Sequence, residues 1–215
     1  MKKGKIYIAL FAVWTVLLQI ADVRPAGETA TKIGFATFNI WFHKWTGVHM
    51  SIYYLTDWLG LVPVFICILF GILGFVQLIK RRSIKMVDYD IIFLGIYYII
   101  VIFCYLIFEM VQLNYRPILI EGIKEVSYPS STTLLVLSVM PTLVYQAKRR
   151  LHNENAIKRI YIFSVGFSLF MVLGRTIAGV HWFTDIVGSV LLSAGLFNSY
   201  KEVVSKWNSM KNFRN

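Results

Sequence analysis

Arg175, His181 and Asp185 combine residue types and a spacing that suit phosphoryl transfer. If a helix begins near Trp182, His181 and Asp185 lie one turn apart on the same helix face. The carboxylate can then accept the Nδ1 proton of the imidazole and leave Nε2 free as a nucleophile. The planar, permanently charged guanidinium of Arg175 suits bidentate contact with phosphate oxygens. The spacing therefore predicts a phosphate site with a nucleophilic histidine.

The composition indicates that a membrane surrounds these charged residues. Apolar residues make up 57% of the 215 residues and charged residues 15%, whereas soluble domains are about 45–50% apolar and about 25% charged. The length predicts a single membrane domain, residues 1–215. The net charge of +11 does not indicate nucleic-acid binding, because the basic residues occur in clusters that alternate with apolar runs.

Six apolar runs predict an all-α, polytopic membrane protein with six transmembrane helices, each needing about 20 residues. The fourth run reaches that length once the residues from Ser130 onward are included. Sixteen of the 22 Lys and Arg residues lie on the side of the first run's start and the last run's end. The positive-inside rule then places both termini in the cytoplasm, with a basic tail at about 201–215. The runs cover residues 6–21, 59–79, 91–110, 133–147, 160–178 and 184–200.

The same topology places a second group of polar residues on the extracytoplasmic face with His181. Ser130 and Ser131 lie where the fourth helix starts, and free amides at a helix N-terminus bind anions together with serine hydroxyls. Taken alone, either serine is better explained as a helix cap. Arg116 offers a second guanidinium or, taken alone, an interfacial anchor. Convergence of the two connections favours one shared phosphate site.

Two further segments allow more than one interpretation. The first run could be a cleaved signal peptide, but its removal would leave an odd number of spans, so we expect a retained helix. The extracytoplasmic segment at about 22–57 contains aromatic residues spaced three or four apart. That period fits a helix lying in the membrane interface, or equally a lid packed on the bundle without a substrate role. These aromatic residues are Phe35, Phe38, Trp41, Phe42 and Trp45.

The pattern Arg-x5-His-x3-Asp, preceded by a Pro-Ser-Ser segment and an Arg-Pro pair, resembles the type 2 phosphatidic acid phosphatase (PAP2) superfamily of six-helix membrane lipid phosphatases. The resemblance implies that His181 attacks phosphorus to form a phosphohistidine and that Asp185 orients it. It implies that Arg116 and Arg175 bind the phosphate oxygens, with Ser130 and Ser131 completing the site. No cofactor and no metal are implied.

Glu109 and Thr132 depart from the family pattern, which has a lysine and a histidine at these positions. A threonine hydroxyl does not titrate near neutral pH and cannot protonate a leaving group. An alkoxide needs that proton, whereas the phosphate released from a diphosphate has a second pKa of about 6 and departs without it. The departures therefore predict a preference for a lipid diphosphate such as polyprenyl pyrophosphate. Glu109 is a candidate for pairing with an arginine or binding a cationic headgroup.

Three functions remain open from these residues. The first is a lipid phosphatase acting on a membrane phospholipid or polyprenyl phosphate at the extracytoplasmic face of a bacterial plasma membrane. The second is a lipid phosphotransferase that uses the same histidine. The third is a catalytically impaired protein that binds lipid phosphates. A transporter is disfavoured, because the chain shows neither inverted repeats nor paired broken helices.

Overall fold

The computed structural model describes residues 2–212, which are mostly helical. A short antiparallel hairpin, in which Arg24 pairs with Ile33, is a small departure from the all-α prediction. In chain order, the elements of the described part are α1 (Lys2–Ile20), β1 (Arg24–Ala26), β2 (Thr31–Ile33), α2 (Ala36–Thr46), α3 (Met50–Leu59), α4 (Leu61–Arg81), a 3₁₀ turn (Ile84–Met86), α5 (Tyr89–Met110), α6 (Ser131–Arg150), α7 (Glu154–Ile177) and α8 (Phe183–Asn212).

Helices α6 and α8 lie at the centre of the bundle. α6 contacts α4, α5, α7 and α8, and α8 also contacts α1, α2, α5 and α7. Both helices bury polar side chains that find partners across helix interfaces. The hydroxyls of Tyr98 and Thr142 lie 2.7 Å apart, and Gln146 donates to the hydroxyl of Tyr200 at 2.8 Å. Such bonds offset the cost of burying polar groups, so these two helices tolerate a polar composition.

Four helical stretches within residues 2–212 are long and apolar enough to cross a membrane. α6 and α8, which match the predicted fourth and sixth spans, are not among them. They pack mainly against other helices, so their side chains need less apolar character than lipid contact would require. Six spans and cytoplasmic termini therefore stay predictions. The four stretches are Lys2–Ile20, Met50–Arg81, Tyr89–Met110 and Glu154–Ile177.

Helix α1 packs closely along α8. A Cβ atom added to Gly195 would lie 2.6 Å from Cδ1 of Ile8, and one added to Gly4 would lie 2.4 Å from Oγ of Ser199. That this first helix is retained stays a prediction. Helix α8 continues through the predicted basic tail as far as Asn212, and residues 213–215 of that tail lie outside the described part.

The predicted interfacial segment forms the hairpin and then α2 and α3. The aromatic period corresponds to α2, in which Trp41 and Trp45 are exposed. The opposite face of α2 packs on the start of α8 and on the turn before it: Asn39 donates to Oγ1 of Thr184 at 3.0 Å, and Nε2 of His43 lies 2.9 Å from the carbonyl oxygen of Gly179. Helix α2 therefore contacts the turn that carries His181.

Candidate active site

His181 lies buried in the turn between α7 and α8. The chain reverses at Gly179 (φ +72°), where a Cβ atom would lie 2.1 Å from the carbonyl oxygen of Gly47, so a larger residue does not fit. Nδ1 of His181 lies 3.1 Å from the carbonyl oxygen of Ser127, and Nε2 lies 3.1 Å from Nη2 of Arg175. Because a carbonyl only accepts and a guanidinium only donates, Nδ1 carries the proton and Nε2 presents its lone pair. This is the tautomer that a nucleophilic Nε2 requires.

Asp185 lies in the first turn of α8, but its carboxylate is not the acceptor of the Nδ1 proton. Its Oδ2 lies 3.9 Å from Nδ1 of His181, which is too far for a hydrogen bond. Oδ2 instead accepts the backbone N–H of Trp182 at 3.0 Å, and Oδ1 accepts the side-chain amide of Asn114 at 3.0 Å. The predicted hydrogen bond from Nδ1 of His181 to Asp185 is therefore not formed. Asp185 accepts from the backbone of Trp182 and from Asn114, and the carbonyl of Ser127 accepts from the imidazole.

Both predicted arginines lie over one aromatic ring. The guanidinium carbons of Arg175 and Arg116 lie 5.0 and 5.6 Å from the ring centroid of Tyr53 in α3. Nη1 of Arg175 lies 3.6 Å from Oδ1 of Asp57, and Nε of Arg116 lies 2.9 Å from Oε2 of Glu125. Nε of Arg175 and Nη1 of Arg116 are buried without a hydrogen-bond partner in the described part of the chain. The two guanidiniums therefore lie over the same ring, and each has an N–H group that no described residue accepts.

The surroundings of His181 favour its neutral form. Burial holds the pKa of His181 well below its ordinary value, and the positive charges of Arg116 and Arg175 lower this pKa further. The carbonyl of Ser127 opposes these effects only in part. A neutral imidazole is the form that attacks an electrophile, so the electrostatic surroundings and the tautomer agree.

The two predicted serines occupy different environments. Ser130 is fully buried at the N-cap position of α6; its hydroxyl donates to Oγ1 of Thr133 at 3.1 Å, and its carbonyl accepts from Ser189 at 2.8 Å. Ser131 is partly exposed and lines a narrow cleft with His181. Ser131 is therefore available to a ligand, whereas Ser130 takes part in helix packing.

Glu109 and Thr132 line two neighbouring spaces. Glu109, at the C-terminal end of α5, is exposed and borders the His181 cleft. Thr132 borders a larger, mainly apolar cavity of about 410 Å³ between α4, α5 and α6. Tyr105, Ser131 and Leu134 line both the cleft and the cavity. Glu109 and His181 thus line the same cleft, whereas Thr132 lines only the neighbouring apolar cavity.

Four contacting residues were not singled out from the sequence. Ser127 and Asn114 lie in the same connection as Arg116, so the polar residues of that connection were the available signal. Tyr53 and Asp57 lie in the aromatic segment before α4, where no motif marks them. Within residues 2–212, no cluster of three or more His, Cys, Asp and Glu side chains could hold a metal ion.

Comparison with known proteins supports the predicted family. The model of the PAP2 superfamily matches residues 109–209. The fold is similar to the crystal structure of the first transmembrane PAP2-type phosphatidylglycerolphosphate phosphatase from Bacillus subtilis, with a TM-score of 0.67, 16% identity, and coverage of 96% of this chain and 98% of that chain. None of the curated proteins matches the chain. The resemblance predicted from the sequence is confirmed: residues 109–209 belong to the PAP2 superfamily.

Proposed function

We propose that this protein is an integral membrane lipid phosphatase that works through a phosphohistidine at His181. The observation that carries the proposal is the contact between Nε2 of His181 and the buried guanidinium of Arg175, which retains an N–H group without an acceptor. A buried donor without a partner costs about 1–3 kcal/mol. A phosphate oxygen beside Nε2 would remove that cost. The PAP2 match of residues 109–209 supports the same chemistry.

The proposed reaction has two displacements at phosphorus. In the first, the lone pair of Nε2 of His181 attacks phosphorus as the bond to the leaving oxygen breaks. Arg116 and Arg175 bind the phosphoryl oxygens and stabilise their charge. The Nδ1–H group of His181 keeps its hydrogen bond to the carbonyl of Ser127. This hydrogen bond stabilises the charge on the imidazole. In the second, water attacks the phosphohistidine, the P–N bond breaks and phosphate leaves.

We favour polyprenyl pyrophosphate over a phosphomonoester as the substrate. Thr132 cannot protonate an alkoxide, whereas the polyprenyl monophosphate that leaves from the diphosphate has a second pKa of about 6 and needs no proton. The apolar cavity beside the cleft, about 410 Å³ in volume, supports a lipid substrate whose chain lies between α4, α5 and α6. We place the reaction at the extracytoplasmic face of a plasma membrane, because most Lys and Arg residues cluster on the opposite side.

Phosphate release from polyprenyl pyrophosphate by the purified protein in detergent tests the proposal. We expect His181→Ala to lower the rate by at least about 10³-fold, as loss of a nucleophile does. His152→Ala, which changes an exposed histidine in the connection between α6 and α7, is the matched control and should retain full activity. Unchanged phosphate release by His181→Ala would contradict the mechanism, and faster hydrolysis of phosphatidic acid would contradict the preference.

Two other outcomes would assign the remaining functions. Radiolabel that moves from the substrate to an acceptor lipid, and not to free phosphate, would indicate the phosphotransferase. Binding of the diphosphate that depends on Arg175 but leads to no turnover would indicate the impaired lipid-phosphate-binding protein, which Glu109 and Thr132 favour.

A further inference from the structure

A basic cavity lies at the end of the bundle opposite His181. Helix α6 begins at Ser131, which lines the His181 cleft, and ends at Arg150, which lines this cavity. Twenty helical residues extend about 30 Å, so the length of a membrane-spanning helix separates the two spaces. The cavity has a volume of about 850 Å³, and the proposed reaction makes no use of it. Its cationic lining consists of Arg81, Lys85, Arg149 and Arg150.

Two aspartates flank the first residue of α5 and hold the three arginines around the basic cavity. Asp90, which is buried, accepts from Nη1 of Arg150 at 2.7 Å and from Nε of Arg149 at 3.2 Å. Asp88 accepts from Nη1 of Arg81 at 2.7 Å, and its Oδ2 lies 3.6 Å from Nη2 of Arg150. Because each carboxylate contacts two arginines, the basic ends of α4 and α6 are held against the start of α5.

The basic cavity keeps an excess of positive charge. Four cationic side chains and two carboxylates line it, which leaves two positive charges uncompensated. Lys85 is exposed and forms no ion pair within the described residues. The positive-inside rule accounts for basic residues at this end of the helices, but not for their arrangement around a cavity. Basic pockets between membrane helices bind anionic lipid head groups, so the charge favours an anionic phosphate group as the ligand.

A second apolar cavity adjoins the basic cavity and favours a lipid as the source of that phosphate. It has a volume of about 340 Å³, lies between α4 and α5, and shares Val87 with the basic cavity. Gly71 and Gly95 line it, and a Cβ atom added to either glycine would lie in open space. The two helices therefore leave room for an acyl chain directly beside the cationic side chains. A free phosphate ion would occupy only the basic part.

We propose that the basic cavity binds the headgroup of an anionic phospholipid, whose acyl chain lies in the second apolar cavity. The phosphodiester carries one negative charge and interacts with Lys85, which is unpaired within the described residues, and with Arg81, the most exposed of the three arginines. A zwitterionic lipid brings a cationic group that the excess positive charge repels. The lining residues come from α4, α5, α6 and α8, so a bound lipid stabilises the packing of these helices. The site is independent of the proposed reaction at His181.

Thermal unfolding of the full-length protein in detergent micelles tests the proposal with three additives: phosphatidylglycerol, phosphatidylcholine with the same acyl chains, and inorganic phosphate. We expect phosphatidylglycerol alone to raise the unfolding midpoint, and to do so saturably. Lys85→Glu should weaken its apparent affinity about 2- to 30-fold, because reversal of an exposed charge replaces an attraction by a repulsion. Lys80→Glu is the matched control, since this exposed lysine lies in the last turn of α4 but does not line the basic cavity.

A second pair of variants tests the position of the acyl chain. Gly71→Leu places a side chain in the second apolar cavity and should also weaken the binding of phosphatidylglycerol. Gly166→Leu, at a glycine of α7 where a Cβ atom would likewise lie in open space, does not touch this cavity and should leave binding unchanged. Each variant is compared with its own midpoint without lipid, so a change in its stability does not alter the comparison.

The absence of stabilisation, equal stabilisation by the two phospholipids, or equal losses in Lys85→Glu and Lys80→Glu would overturn the site. An equal response to inorganic phosphate, or equal effects of Gly71→Leu and Gly166→Leu, would overturn the assignment of a lipid. Arg175→Ala, which removes a guanidinium from the candidate active site, should leave the stabilisation unchanged, and Arg116→Ala replaces it if it does not fold. Loss of the stabilisation in that variant would place the lipid beside His181 and contradict the inference.

Discussion

Asp185→Ala tests whether the carboxylate acts through the turn that carries His181. Oδ1 accepts from Asn114 and Oδ2 from the backbone of Trp182, each at 3.0 Å, whereas Nδ1 of His181 is 3.9 Å away. Alanine leaves two buried donors without an acceptor. At about 1–3 kcal/mol for each donor, the free energy of unfolding should fall by about 2–6 kcal/mol. Unfolding of the detergent-solubilised protein, followed by tryptophan fluorescence, measures this loss.

Asp185→Asn is the matched comparison. Its amide oxygen can still accept the N–H of Trp182, and Oδ1 of Asn114, which is buried without a partner, can turn to accept the new amide. We therefore expect the asparagine variant to lose much less stability and activity than the alanine variant, because Nδ1 of His181 stays bonded to Ser127. If Asp185→Asn is as stable as the unmodified protein but as inactive as Asp185→Ala, the carboxylate must act on His181 directly.

Three shorter predictions concern the same site. Arg116→Ala removes a positive charge that lowers the pKa of His181, so the acid limb of the kcat/KM profile should move to higher pH; an unmoved limb would exclude this coupling. Gly174→Ala should cost about 1–3 kcal/mol of unfolding free energy by overpacking, and Thr56→Ser, which removes the opposing methyl group, should recover part of it. Glu109→Lys should lower KM about 2- to 30-fold, since reversing an exposed charge is worth twice about 0.2–1 kcal/mol; an unchanged KM would place Glu109 beyond reach of the phosphate.

The residues that the sequence could identify are those whose chemistry depends on local spacing. Arg175 and His181 lie six residues apart around a tight turn, and the structure joins them at 3.1 Å. The acceptor for Nδ1 could not be found in this way. The carbonyl of Ser127 is 54 residues from His181 in the chain, and a backbone carbonyl has no residue type to recognise. Spacing along the chain therefore predicted Asp185 as the acceptor for Nδ1. The packing of the connection before α6 against the turn before α8 instead brings the carbonyl of Ser127 to Nδ1.

The number of membrane spans shows the same limit at the level of helices. The start of α6 was predicted from Ser130 onward, and the helix begins at Ser131; it ends at Arg150, three residues beyond the predicted run. Its polar residues lowered its apparent suitability as a span. Thr142 and Gln146 are satisfied by Tyr98 and Tyr200, which come from two other helices. The mean hydropathy of a segment counts such residues as unfavourable, because it is calculated from that segment alone and takes no account of hydrogen-bond partners in other helices.

The site also depends on residues that lie outside the family region. Residues 109–209 carry the histidine and both arginines, but Tyr53 and Asp57 come from α3. Two like charges over one ring repel each other, and burial without counterions would be costly. Asp57 and Glu125 offset part of this repulsion at 3.6 and 2.9 Å, and Nε of Arg175 and Nη1 of Arg116 keep N–H groups without an acceptor in the described part of the chain. The family region thus supplies the histidine and both arginines, whereas α3 supplies the ring that both guanidiniums face and the carboxylate beside Arg175.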